Sequence, residues 1–260
     1  MKGFGDLARV GRLRSAFQMG GLVLLAVCVL ASSIPGLAEA QPSAMVPSPG
    51  FPTPEDAVRH FVDALMAGDF DGAMAACSFE EQADGFDFPD YIDRVKSHMM
   101  FSSPAPSTSD LYRDLDAAAT LGSLANQTKM LIYSFFVTEG LDGQPVMPAD
   151  RAYAEEFQQA VDTSKLADLE LVRIDPPMKR LLWTANNINN FNKMANLYGA
   201  ETMTERVVLY ELDGQTFVGG FGLYRYESGW KIFKLNSTLA GTSATGAVMP
   251  ATLEDYEGLL

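Results

Sequence analysis

Thr53-Pro54-Glu55-Asp56-Ala57-Val58-Arg59-His60-Phe61-Val62-Asp63-Ala64-Leu65-Met66-Ala67-Gly68-Asp69-Phe70 is the stretch on which the fold turns. Thr53 suits a helix N-cap and Pro54 the first helical position, while Glu55 and Asp56 meet the positive end of the dipole. Apolar residues at Ala57, Val58, Phe61, Val62, Leu65 and Met66 make a one-sided helical stripe. Gly68 stops that helix, and Asp69 caps a second, short one carrying Phe70, Ala73, Met74 and Cys77.

The C-terminal third has a different period. Residues 206–212, 216–226 and 230–236 are β-rich and joined by Asp213-Gly214 and Glu227-Ser228-Gly229, turns at hairpin spacing. In the last run Trp230 and Ile232 point one way and Phe233 and Leu235 the other, so the sheet is expected to be covered on both faces. Gly219-Gly220-Phe221-Gly222 lies inside a strand pattern and reads as a bend or bulge rather than a phosphate cradle.

Together, the helix pair of residues 53–77 and the hairpins of residues 205–236, ending in Gly229-Trp230-Lys231-Ile232, resemble the nuclear transport factor two-like superfamily. That is the α+β cone shared with ketosteroid isomerases. The resemblance implies a curved antiparallel sheet packed on the N-terminal helix, with the usual ligand pocket in the hollow between them. It covers about a quarter of the chain. The residues between, about 80–204, are expected as a mainly helical insertion.

Within that insertion the pattern predicts helices over 88–100, 109–125, 148–161 and 178–197, and a short strand over 169–174. Residues 128–137, a continuous apolar run, read as a buried strand, with continuation of the preceding helix as the alternative. Residues 238–260 read as a flexible acidic tail.

The N-terminus is an address. Lys2, Arg9, Arg12 and Arg14 precede an uncharged run from Met19 to Ile34, then Pro35-Gly36 and Ala38-Glu39-Ala40. This is the layout of a secretory signal peptide over residues 1–40, cleaved after Ala40, implying a secreted, periplasmic or extracellular product of bacterial-type export. A retained anchor and a form lipidated at Cys28 are the alternatives, and the membrane enters only through this segment. A Pro/Ser-rich linker fills residues 41–52. The domain proper then spans residues 53–237.

Of 260 residues, 47% are hydrophobic, and 33 acidic oppose 19 basic side chains, for a net charge of -14. Such a balance excludes disorder and argues against a nucleic-acid partner, which requires Lys and Arg against phosphate. Without residues 1–40 the net charge is -16, from 15 basic and 31 acidic side chains, and Cys77 is left as a lone, buried thiol.

Candidate chemistry is sparse. His60 falls opposite the apolar stripe and is expected at the surface; His98 reads as a helix C-terminal residue. Asp84, Asp87, Asp90 and Asp93 lack the alternation of a calcium loop, so no metal site or cofactor is expected. Asn126-Gln127-Thr128 and Asn236-Ser237-Thr238 match glycosylation sequons. The binding candidates are Trp183 with Asn186 and Asn190 on an asparagine-rich helix, and the strand tyrosines Tyr210, Tyr224 and Tyr226. The expected function is a secreted or cell-surface, non-enzymatic binding or accessory domain for a small molecule, glycan or protein. A small-molecule isomerase or dehydratase acting in the pocket, and a structural envelope protein, are the alternatives.

Overall fold

The computed structural model describes residues 50–97, 103–137, 150–178 and 184–260. The signal segment, His98 and Trp183 lie outside the described residues. Within them, no helix is long and apolar enough to cross a membrane.

Helix α1 (Pro54–Met66) begins where the sequence places it. The Thr53 side chain accepts from the Asp56 amide, and the helix buries Ala57, Val58, Phe61, Val62 and Leu65. Asp69 caps α2 (Phe70–Ala75) in the same way, through the Gly72 amide. Two further short helices follow, α3 (Phe79–Asp84) and α4 (Phe88–Val95), the latter ending at Lys96 in the left-handed region rather than continuing to residue 100.

Residues 128–136 are helical, correcting the strand expectation. They complete α5 (Asp110–Phe136), a single helix of 27 residues. Leu124, Thr128, Leu131 and Phe135, four of its five buried positions, are spaced by four, three and four, so the apolar run faces the core as a helical stripe. Two buried hydroxyls fit the same geometry, Thr128 donating to the Leu124 carbonyl and Ser134 to that of Leu131.

After α6 (Arg151–Ala160) and a 3-10 turn (Thr163–Asp168), β1 (Glu170–Asp175) enters the sheet; α7 (Ala185–Asn196) then precedes β2 (Thr202–Leu212), β3 (Gln215–Tyr226) and β4 (Gly229–Lys234). The strands are antiparallel in the order β1-β2-β3-β4. Asp213 and Gly214 both take positive φ, which lets a two-residue turn close the β2–β3 hairpin. The ladder slips at Gly222/Leu223, a bulge inside the glycine-rich run.

Both faces of the sheet are covered. On one, Tyr210, Phe217, Phe221, Leu223 and Ile232 join the buried sides of α1, α2 and α5. On the other, Tyr224 and Tyr226 pack with Tyr198 and Phe233, and Val207, Leu209 and Val218 pack with Tyr256.

The chain's end is part of this fold, which corrects the expected flexible tail. The Val248 amide donates to Ser134 Oγ at 2.8 Å and Val248 is fully buried. Strand β5 (Met249–Pro250) pairs with β3, and Tyr256 of α8 (Leu253–Glu257) is buried with its hydroxyl donating to Asp175. Burial of Val248 and Tyr256, with the strand pairing and hydrogen bonds, offsets part of the entropy lost in ordering the segment. The linker's last residues also belong to the sheet: Phe51 and Trp230 exchange both backbone hydrogen bonds.

Candidate functional site

The hollow between α1, α5 and the sheet is filled. Phe135 reaches down from α5 to stand edge-on against Tyr210 and Phe217, at centroid distances of 5.4 and 5.3 Å. Phe61 of α1 meets Phe221 the same way at 5.6 Å. Tyr210 is sealed beneath these rings and its hydroxyl has no hydrogen-bond partner. Burial pushes that phenol well above its ordinary pKa, with Tyr256 adding a smaller push. It is a packed side chain, not a donor aimed at a ligand space.

Tyr224 and Tyr226 lie on the opposite face, so the three strand tyrosines do not form one site. Tyr224 stacks on Phe233 at 3.9 Å and on Tyr198 at 5.8 Å, and Tyr226 meets it edge-on at 6.3 Å. Burial raises the pKa of Tyr224 and of Tyr226.

Beside this aromatic layer is a buried ion pair that the sequence reading missed. Lys231, 3% exposed, pairs with Glu81 of α3, whose Oε2 is buried without a partner. Ser78 donates to the Ile232 carbonyl and accepts from Gln82. Tyr226 responds to this cluster too: burial is the main cause of its raised pKa, Ser78 opposes that rise and Glu81 adds to it. Lys231 stands next to Ile232 in a strand buried on both faces, and that alternation was the available signal that its side chain is buried. Cys77, next to Ser78, is buried and its thiol pKa is pushed far up by desolvation, leaving it inert.

A groove enclosing about 450 Å³ opens alongside, between α3, α5 and residues 103–105. Its walls include Gln82, Pro104, Tyr112, Leu115, Asp116 and Tyr198. Asp116 accepts from the Ala105 amide at 2.8 Å, and desolvation raises its pKa against that hydrogen bond. Tyr198 therefore touches both the groove and the aromatic layer beneath it.

Asn186 and Asn190 are exposed on α7, away from the buried Ala195. Asn192, by contrast, is a structural acceptor for the Thr202 hydroxyl, with the two oxygens 2.5 Å apart. His60 is exposed, with its ring against Phe51 at 4.9 Å. The four aspartates of residues 84–93 cap α4 or pair with Arg94, Lys96 and Arg113. Of the sequons, Thr128 is buried and bonded within α5, while Asn236 donates to the Ala244 carbonyl.

No protein-family model matches the sequence, and no curated protein aligns with it significantly. Among solved structures the chain is similar to a cystatin-like protein from Ruminococcus gnavus, at a TM-score of 0.50 and 19% identity over 82% of this chain. The likeness is one of fold. The match spans 44% of that protein's length. It supports an α+β, cystatin-like fold.

Proposed function

We propose that the chain is an exported, non-enzymatic binding or accessory domain. In this reading residues 1–40 are its signal peptide, residues 80–204 elaborate a cone-like core, and the ligand binds outside the hollow that such cones use. One observation carries it: Phe135 stands edge-on against Tyr210 and Phe217, Phe221 belongs to the same buried cluster, and Tyr210 is fully buried among them. A substrate there would have to displace aromatic rings whose removal costs about 3–5 kcal/mol each.

The isomerase or dehydratase reading finds its strongest footing at Glu81 and Tyr226, a carboxylate whose charge adds to the raised pKa of a buried phenol. Both are closed off, Glu81 by its pairing with Lys231 and Tyr226 by burial. General acid–base work requires the group to reach its substrate proton.

Thermal-shift screening of the full chain against metabolite, glycan and peptide libraries tests the proposal, with mass analysis of each hit after incubation. The expected result is a ligand recovered unchanged. A hit that is chemically converted, with conversion lost in Glu81→Gln or Tyr210→Phe, overturns it. Export is tested separately by N-terminal sequencing of the protein recovered outside the cytoplasm, which should begin at Gln41.

A further inference from the structure

We infer that the groove between α3 and α5 is a docking site for a polypeptide segment that is both cationic and apolar. This deepens the binding reading above and rests on it.

The first argument is the unpaired apolar surface. Helix α5 packs against the core from Ala117 and Leu121 onward and is fully buried at Leu124, Leu131 and Phe135. Ahead of that, Leu111, Tyr112 and Leu115 stand 66%, 45% and 57% exposed on two successive turns, with Ala119 continuing the row into the groove. Tyr112 and Leu115 line the groove itself, and Pro104 and Tyr198 form apolar surface near them. Scattered exposed leucines need no explanation, but a contiguous row bordering a groove is the mark of a contact surface.

The second argument is charge. The two segments that build the groove, α3 (residues 79–84) and residues 103–123, hold six carboxylates against one guanidinium. That guanidinium, Arg113, is already engaged by Asp84 and Asp110, and the nearby Lys231 is taken by Glu81. Asp116 lies in the wall, held by the Ala105 amide. An anionic ligand would meet uncompensated carboxylates, and an uncharged sugar would leave the leucines in water. A segment bearing Lys or Arg beside apolar residues satisfies both features, in the mode of an amphipathic helix laid in a groove.

The test is fluorescence-anisotropy titration of the full chain with three labelled peptides of about 14 residues, roughly four helical turns. One alternates Lys and Leu in an amphipathic pattern, one replaces Lys by Glu, and one replaces Leu by Ser. The Lys/Leu peptide should bind about tenfold more tightly than either control, and weaken as salt rises from about 50 to about 300 mM. The double variants Leu111→Ser/Leu115→Ser and Asp114→Asn/Asp116→Asn alter surface or groove-wall positions. Each should weaken binding about tenfold, with the circular-dichroism spectrum unchanged. Equal binding of the Glu/Leu or Lys/Ser peptide, no binding of the Lys/Leu peptide, or binding indifferent to both variants overturns the inference. So does leucine-dependent association with phosphatidylglycerol vesicles in place of the peptide. If the peptide fails while a screened ligand still binds unchanged, the inference falls and the binding reading stands. A ligand that is turned over brings down the reading itself.

Discussion

The Ser237 hydroxyl donates to Oε2 of Glu205 at 2.8 Å, fixing the turn after β4 to the face of β2. Glu205 is 2% exposed and fully committed, with Lys234 on Oε1 and the Leu239 amide sharing Oε2. The chain beyond Ser237 then runs to β5 and α8.

Glu205→Ala should therefore destabilise by about 3–5 kcal/mol, because it strands Lys234, Ser237 and an amide together. Glu205→Gln keeps the acceptor and should cost less. Urea denaturation gives the totals. Hydrogen exchange should show faster opening of residues 239–256 in both variants ahead of α1.

Two glycine substitutions should shift stability in opposite directions. A Cβ on Gly220 would lie 2.4 Å from the Ser237 amide nitrogen and 2.6 Å from Thr242 Oγ1. Gly220→Ala should cost about 1–3 kcal/mol by forcing the latched turn off the sheet. A Cβ on Gly122, inside α5, meets nothing within 4 Å. Gly122→Ala should stabilise by about 0.4–1 kcal/mol through the unfolded chain's entropy. Paired thermal melts decide both.

Tyr210→Phe should stabilise the protein or leave it unchanged. The hydroxyl is buried with no partner, and an unsatisfied buried group costs about 1–3 kcal/mol. Its deletion leaves the ring contacts with Phe135 in place. A loss of stability measured by denaturation would mean that the hydroxyl has a partner in solution.

The pH dependence of the groove follows from Asp116. Desolvation raises its folded pKa above the ordinary 3.8, so ionisation is harder in the folded state. Ionised, it weakens the fold; that penalty accumulates as pH rises from about the unfolded value through the folded one, and it is absent at lower pH. Asp116→Asn, which keeps an acceptor for Ala105, should match or exceed the wild-type Tm at pH 7. Any gain should vanish near pH 3. A variant less stable than wild type at pH 7 and equal at pH 3 would reverse the sign.

Parts of the site were open to a reader of the sequence. The Asp213-Gly214 turn sets Tyr210 opposite Phe217, and counting on to Tyr224 and Tyr226 changes parity, so these tyrosines had to occupy the other face. In α5, the spacing of Leu124, Thr128, Leu131 and Phe135 distinguished helix from strand, although a continuous apolar run obscured it. Helix α3 was harder to see, since it has six residues and Ser78 makes no side-chain cap. With it went Glu81, whose partner Lys231 lies 150 positions away.

What the sequence determined by itself is local: the cap and stripe of α1, the capped start of α2, and hairpins closed by turns of two residues. Each depends on groups within a few positions of one another, where capping and side-chain period act. The tertiary structure alone decided that Phe135 fills the hollow beside Tyr210, that Val248 and Tyr256 bring the chain's end into the fold, and that Lys231 meets Glu81 beside an acidic groove. Those contacts join segments far apart in the chain, and their energies arise from burial and pairing that no short window of sequence contains.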